Sequence, residues 1–71
     1  MAFKPKIRYA ELIDRPEVGH RIVIRLAEPH HRIPQADLQR WDNLITTSQV
    51  VKVNENGSFE TLNTFYVPDG Q

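Results

Sequence analysis

Ile45-Thr46-Thr47-Ser48-Gln49-Val50-Val51-Lys52-Val53-Asn54-Glu55-Asn56-Gly57-Ser58-Phe59-Glu60-Thr61-Leu62-Asn63-Thr64-Phe65-Tyr66-Val67 is the stretch from which the fold is read. β-Branched and aromatic residues fill it on both sides of Asn56-Gly57, a dipeptide suited to a tight hairpin turn. Two registers compete. A two-residue turn at Asn56-Gly57 sets Val53 opposite Glu60 and Asn54 opposite Phe59, apolar against polar each time. A three-residue loop, Glu55-Asn56-Gly57 with Gly57 left-handed, sets Val53 opposite Phe59, Lys52 opposite Glu60, Val50 opposite Leu62 and Ile45 opposite Val67. Opposed side chains share a face of the sheet, so the matched pairs select the second register. Beyond Phe59 the apolar residues do not keep to one face, since Phe65 and Val67 fall on the odd positions and Leu62 and Tyr66 on the even ones. A bulge near Asn63, or burial on both faces of a closing barrel, is the expected cause.

Working outward, Lys6-Ile7-Arg8-Tyr9-Ala10-Glu11 alternates polar and apolar residues, the period of a half-buried strand. Asp14-Arg15-Pro16-Glu17-Val18-Gly19 is rich in turn formers and predicts a loop. His20 to Leu26 is the next strand, with Ile22, Ile24 and Leu26 on one face and Arg21, Val23 and Arg25 on the other. Pro29 ends it, because a strand interior needs the N–H that proline lacks. Pro34 suits the start of a helix running to Trp41, with Leu38 and Trp41 packing it onto the sheet. Short strands with frequent turns and one short helix predict a mainly β domain spanning residues 1–71. The expected architecture is a small curved antiparallel sheet, or an SH3-like barrel of four to five strands.

A chain of 71 residues makes one small domain, in which roughly 60% of the unfolded surface is buried. It has no cysteine, so disulfides and thiolate metal sites are excluded. Stability from a partner or from self-association is then an open expectation. No apolar run is long enough to span a bilayer, and Met1 to Lys6 holds no apolar core of a secretory signal. A cytoplasmic protein with no membrane partner is expected. Nine basic and nine acidic side chains cancel. Residues 1–40 carry eight basic against five acidic side chains, a balance of +3, and residues 41–71 carry one against four, a balance of −3. That asymmetry reads either as attraction between the halves of one fold or as a basic face.

The basic face, if real, consists of Lys6, Arg8, Arg21 and Arg25, which oppose the apolar residues of the first two strands. Were those strands adjacent, the four cations would share one outer face and could meet phosphates or a partner. No aromatic residue is interleaved among them to stack bases. His30-His31 is weak as a metal site, because neighbouring side chains on an extended loop point apart and no third ligand has a matching spacing. His30 and His31 are expected to be solvated, and no cofactor or metal is implied. No nucleophile elbow, phosphate loop or zinc-protease motif accompanies Ser48 or Ser58, so enzymatic activity is not expected.

Thr47-Ser48-Gln49-Val50-Val51 followed by Gly57-Ser58-Phe59-Glu60-Thr61-Leu62-Asn63-Thr64-Phe65-Tyr66 resembles the end of many short accessory proteins encoded by bacteriophages and prophages. The resemblance implies an accessory role and no activity, and it carries over no site residues. Together these readings point to a non-enzymatic interaction protein that binds a host or viral protein. The alternative is a nucleic-acid-binding barrel using Lys6, Arg8, Arg21 and Arg25.

Overall fold

A computed structural model describes residues 4–70; the opening residues of the Met1–Lys6 segment lie outside them. The elements in chain order are β1 (Lys6–Leu12), β2 (Val23–Leu26), α1 (Gln35–Arg40), β3 (Leu44–Thr46), β4 (Val50–Val53), β5 (Phe59–Thr61) and β6 (Phe65–Pro68). They form one six-stranded sheet in the order β3-β2-β1-β6-β5-β4. The fold is mainly β with one short helix, as the sequence predicts. The sheet differs in detail from the expected antiparallel sheet or four- to five-stranded barrel: it has six strands, it is mixed because β1 and β6 run parallel, and its ladder does not close.

The hairpin register is borne out where it is local. Val53 faces Phe59 and Lys52 faces Glu60. The Asn54 N–H donates to Ser58 O at 2.9 Å, which closes the three-residue loop, and Gly57 sits at φ +90°. Further out the register changes. Val50 faces Thr61 instead of Leu62, because the ladder shifts between Val50 and Lys52, which buries Val50 against Thr61 while Val51 and Val53 stay exposed. Ile45 pairs with Ile24 of β2, not with Val67. The parity break near Asn63 is no bulge: Leu62 and Asn63 form a two-residue turn closed by the Thr61 N–H donating to Thr64 O at 2.9 Å. The turn leaves Leu62 exposed and buries Thr61, Thr64 and Tyr66.

β1 reverses its own alternation. Ile7 and Tyr9 point inward, then the ladder to β2 shifts between Tyr9 and Glu11, so that Leu12 faces Ile24 on the inner side while Glu11 meets Arg25 outside. The strand opened by His20 is shorter in ladder terms, Val23–Leu26, but Ile22, Ile24 and Leu26 are all buried as predicted. They join Ile7, Tyr9, Leu38, Ile45, Val50, Phe59 and Tyr66 in a single core. Phe59 and Tyr66, opposed across β5 and β6, stack with ring centroids 5.0 Å apart, a large apolar burial with favourable ring geometry.

The open edges β3 and β4 belong to one bent segment, Leu44–Val53. Its middle is tied back to the chain ahead of β2: the Gly19 N–H donates to Val50 O at 2.7 Å, the Val50 N–H to His20 O at 2.9 Å, and the Thr47 N–H to Ile22 O at 2.8 Å. The sheet therefore curls almost onto itself, leaving a seam at residues 47–49.

The helix spans Gln35–Arg40 with Pro34 as its N-cap, one residue earlier than expected for the proline, and Leu38 is its buried residue. It ends in a Schellman motif without glycine. The Asp42 N–H bonds Gln39 O at 3.3 Å and the Asn43 N–H bonds Leu38 O at 2.7 Å, with Asp42 at φ 57° and Asn43 at φ 62°. Trp41 stands at the C-cap, where the chain leaves the helical path, and turns outward. The expectation that Trp41 packs the helix onto the sheet is thereby overturned: it is 64% exposed, and Leu38 does that packing alone. Among the described residues no helix is long and apolar enough to cross a membrane.

Candidate partner-binding surface

The outer face of β2 and β3 carries an apolar hollow of about 370 Å³ lined by Val23, Trp41, Leu44, Ile45 and Thr46. Local chain chemistry builds it. Leu44 and Thr46 alternate outward from β3, and Val23 lies directly opposite Thr46 on β2. The Schellman turn aims Trp41 beside them, and the Leu44 N–H returns to Trp41 O at 3.0 Å, fixing the turn to the strand. Ile13, also exposed, is tied to the same strand by its N–H, which donates to Val23 O at 3.1 Å.

β3 is also a sheet edge. The Leu26 N–H bonds Asn43 O, and the Thr47 N–H bonds Ile22 O. By the alternation of an antiparallel ladder, Ile45 directs its backbone groups to β2, and Leu44 and Thr46 direct theirs the other way. The Leu44 C=O and both backbone groups of Thr46 therefore face the open side. Such groups are templates for another strand, and they lie next to the apolar hollow.

The four cations singled out in the sequence are placed as follows. β1 and β2 are adjacent, and Lys6, Arg8 and Arg25 lie on outer positions. Arg21 is exposed ahead of β2. They are strung along the ladder, not gathered. Arg8 lies across from Ala27, whose N–H bonds Arg8 O, so Arg8 and Arg21 are roughly 20 Å apart at about 3.3 Å per residue. Both central arginines are already gripped. Arg8 Nε lies 2.9 Å from a Glu28 carboxylate oxygen that also accepts the Arg8 N–H at 2.8 Å, and Arg8 Nη1 lies 3.5 Å from Asp69. The Arg8 side-chain bond, then its backbone bond, holds the Glu28 carboxyl below its ordinary range. Arg25 Nε meets Glu11 at 3.2 Å, and its Nη1 bonds both the Asp42 carboxylate and, at 2.8 Å, the Asp42 C=O. Arg25 thus steadies the αL turn that presents Trp41. Three of the ion pairs, Lys4–Glu60, Arg8–Asp69 and Arg25–Asp42, join the basic half of the chain to the acidic half.

His30 departs from its expected solvated state. It is 8% exposed, stacked on exposed His31 with centroids 4.6 Å apart. Its Nδ1 accepts the Arg32 N–H at 3.0 Å and its Nε2 lies 3.0 Å from Tyr66 Oη, so both ring nitrogens are engaged. Ser58 is buried in the hairpin turn, bonded to the Asn54 and Asn56 side chains. Among the described residues no three His, Cys, Asp or Glu side chains form a metal-sized group.

Sequence reasoning passed over Val23, Leu44 and Thr46 as surface residues and assigned Trp41 to the core. A cue lay in Asp42-Asn43, two residues that tolerate positive φ and so allow the helix to end abruptly at Trp41. The fold and this surface define a small open β-sheet protein with an exposed tryptophan beside an unpaired strand edge. No protein-family model, no curated protein and no solved structure matches the chain.

Proposed function

We propose that the chain is a non-enzymatic binding module that docks an extended segment of a protein partner along β3, with an apolar side chain of that segment in the Trp41 hollow. The observation that carries the reading is Trp41 itself. A tryptophan 64% exposed beside an apolar hollow is of a residue type enriched among the anchors of protein interfaces. The adjoining backbone groups of Leu44 and Thr46 supply register to a strand-like ligand. The resemblance of the C-terminal hairpin to phage and prophage accessory proteins supports a host or viral protein as the partner. The alternative, a nucleic-acid-binding role for Lys6, Arg8, Arg21 and Arg25, requires phosphates to displace the carboxylates that hold Arg8 and Arg25.

The test is a comparative capture from nuclease-treated bacterial lysate with wild type, Trp41→Ala and Leu62→Ala, followed by mass spectrometry and by binding of the purified candidate. Leu62, 69% exposed on the β5–β6 turn, controls for general surface stickiness. Binding that survives nuclease and Leu62→Ala and is lost with Trp41→Ala supports the reading. Binding indifferent to Trp41→Ala overturns the site. Capture that disappears with nuclease overturns the protein-partner reading in favour of the cations. Trp41→Ala should shift stability by no more than about 0.5 kcal/mol, as surface substitutions do.

A further inference from the structure

A second pocket, of about 170 Å³, opens at the seam where the sheet fails to close. It shares the β3 wall with the Trp41 hollow but is of opposite character. His30 and Arg32 reach it from the loop after β2, Thr47 and Ser48 from the kink between β3 and β4, and Asn63 and Tyr66 from the last hairpin. No aspartate or glutamate lines it. Among the described residues no carboxylate lies within ion-pair distance of Arg32, unlike Arg8 and Arg25.

The proton inventory is fixed by the hydrogen bonds. His30 Nδ1 accepts the Arg32 backbone N–H, so that nitrogen carries no proton. In the neutral ring Nε2 then holds the proton and donates it to Tyr66 Oη. The phenol of Tyr66, only 3% exposed, is thus an acceptor toward His30 and also hydrogen-bonds the Thr64 side chain; with Thr64 as donor there, the phenol O–H is left for a ligand. Ser48, Thr64, Asn63 and Arg32 line the pocket with Tyr66, while the Thr47 hydroxyl is committed to the Ser48 C=O at 2.7 Å. Burial first, then His31 and Arg32, holds His30 below its ordinary pKa, which keeps the ring neutral. Hydrogen-bond donors beside Arg32, which has no carboxylate within ion-pair distance among the described residues, complement a small anion. The volume lies below the about 300–1,000 Å³ of pockets that enclose drug-sized ligands, which sets the size class.

We propose that the seam pocket binds a small oxyanion, of carboxylate or phosphate type, with Arg32 as the counter-charge and Tyr66 and Asn63 among the donors. The test is a ¹H–¹⁵N NMR titration of the full chain with sodium phosphate and, separately, sodium acetate, against sodium chloride at matched ionic strength. Saturable shifts centred on the amides of Arg32, Ser48 and Asn63 are expected with at least one of the two anions. Arg32→Gln, a change at an exposed side chain, should weaken binding by about tenfold or more, and Tyr66→Phe more modestly. The spectra of both variants show directly whether the fold survives. The anion that saturates identifies the ligand class. Shifts that stay linear with both anions, that spread equally over Arg8 and Arg25, or that are unchanged in Arg32→Gln would overturn the proposal.

Discussion

Replacing Gly57 by alanine tests the hairpin turn at the level of single atoms. Gly57 has φ +90°, and a Cβ built on it would meet Tyr9 Oη at 3.2 Å and Pro68 Cγ at 3.3 Å. Gly19 offers the matched control, with φ +89° and nothing within 4 Å. At Gly19 alanine incurs the cost of positive φ, about 1–2 kcal/mol. Against that stands about 0.4–1 kcal/mol gained from a less flexible unfolded chain. The net loss should be about 0.5–1 kcal/mol. At Gly57 the same strain is joined by displacement of the Tyr9 hydroxyl, which donates to Gly57 O at 2.6 Å. Weakening that bond adds about 0.5–1.5 kcal/mol, for a total near 2 kcal/mol. In a domain of this size that is a Tm decrease of about 8–16 °C, against about 2–8 °C for Gly19→Ala. Far-UV circular dichroism melts and urea titrations of the two variants and wild type would measure it. Equal losses at the two positions would refute the contact reasoning. A Gly57→Ala variant as stable as wild type would refute the left-handed turn itself.

Stability should also fall in mild acid through His30, whose pKa lies below the ordinary imidazole value because of burial and its positive neighbours. The folded chain binds fewer protons than the unfolded one, so this contribution is whole above about pH 6.5 and lost as pH falls below it. The difference between urea midpoints at about pH 8 and about pH 5.5 should be larger in wild type than in His30→Gln; equal differences would show that His30 is not the titrating group. At the helix end, Asn43 holds φ 62°. Asn43→Gly should leave stability unchanged or raised, and Asn43→Val should cost about 1–2 kcal/mol by chemical denaturation, so a neutral Asn43→Val would contradict the αL turn that presents Trp41.

Much of the candidate surface was invisible in the sequence for a specific reason. Leu38 and Trp41, three apart, suit one helix face, and periodicity cannot tell that the helix ends at Arg40. The backbone of Asp42 and Asn43, held by the Leu38 and Gln39 carbonyls and by Arg25, makes that decision. His30 belongs to the same class of error. A histidine in a polar loop reads as solvated until a phenol from β6 and a backbone N–H from its own loop satisfy both ring nitrogens. Burial of a polar group follows from partners, and partners 36 residues away in the chain leave no local pattern.

By itself the sequence determined what depends on neighbours. These are the Gly57 turn and the Val53–Phe59 register, settled by one positive φ and by matching side chains across six residues; the inward row Ile22, Ile24 and Leu26; and the anchoring of a short helix by Leu38. The tertiary structure alone decided which strands meet. Ile45 could face Val67 or Ile24 with equal apolar match, and it faces Ile24 because β6 is taken by β1 in a parallel pairing that closes nearly the whole chain into one loop. A pairing of that kind is fixed by total burial and chain closure, which no window of residues carries. The exposed edge of β3, the Trp41 hollow and the seam pocket are all consequences of that choice.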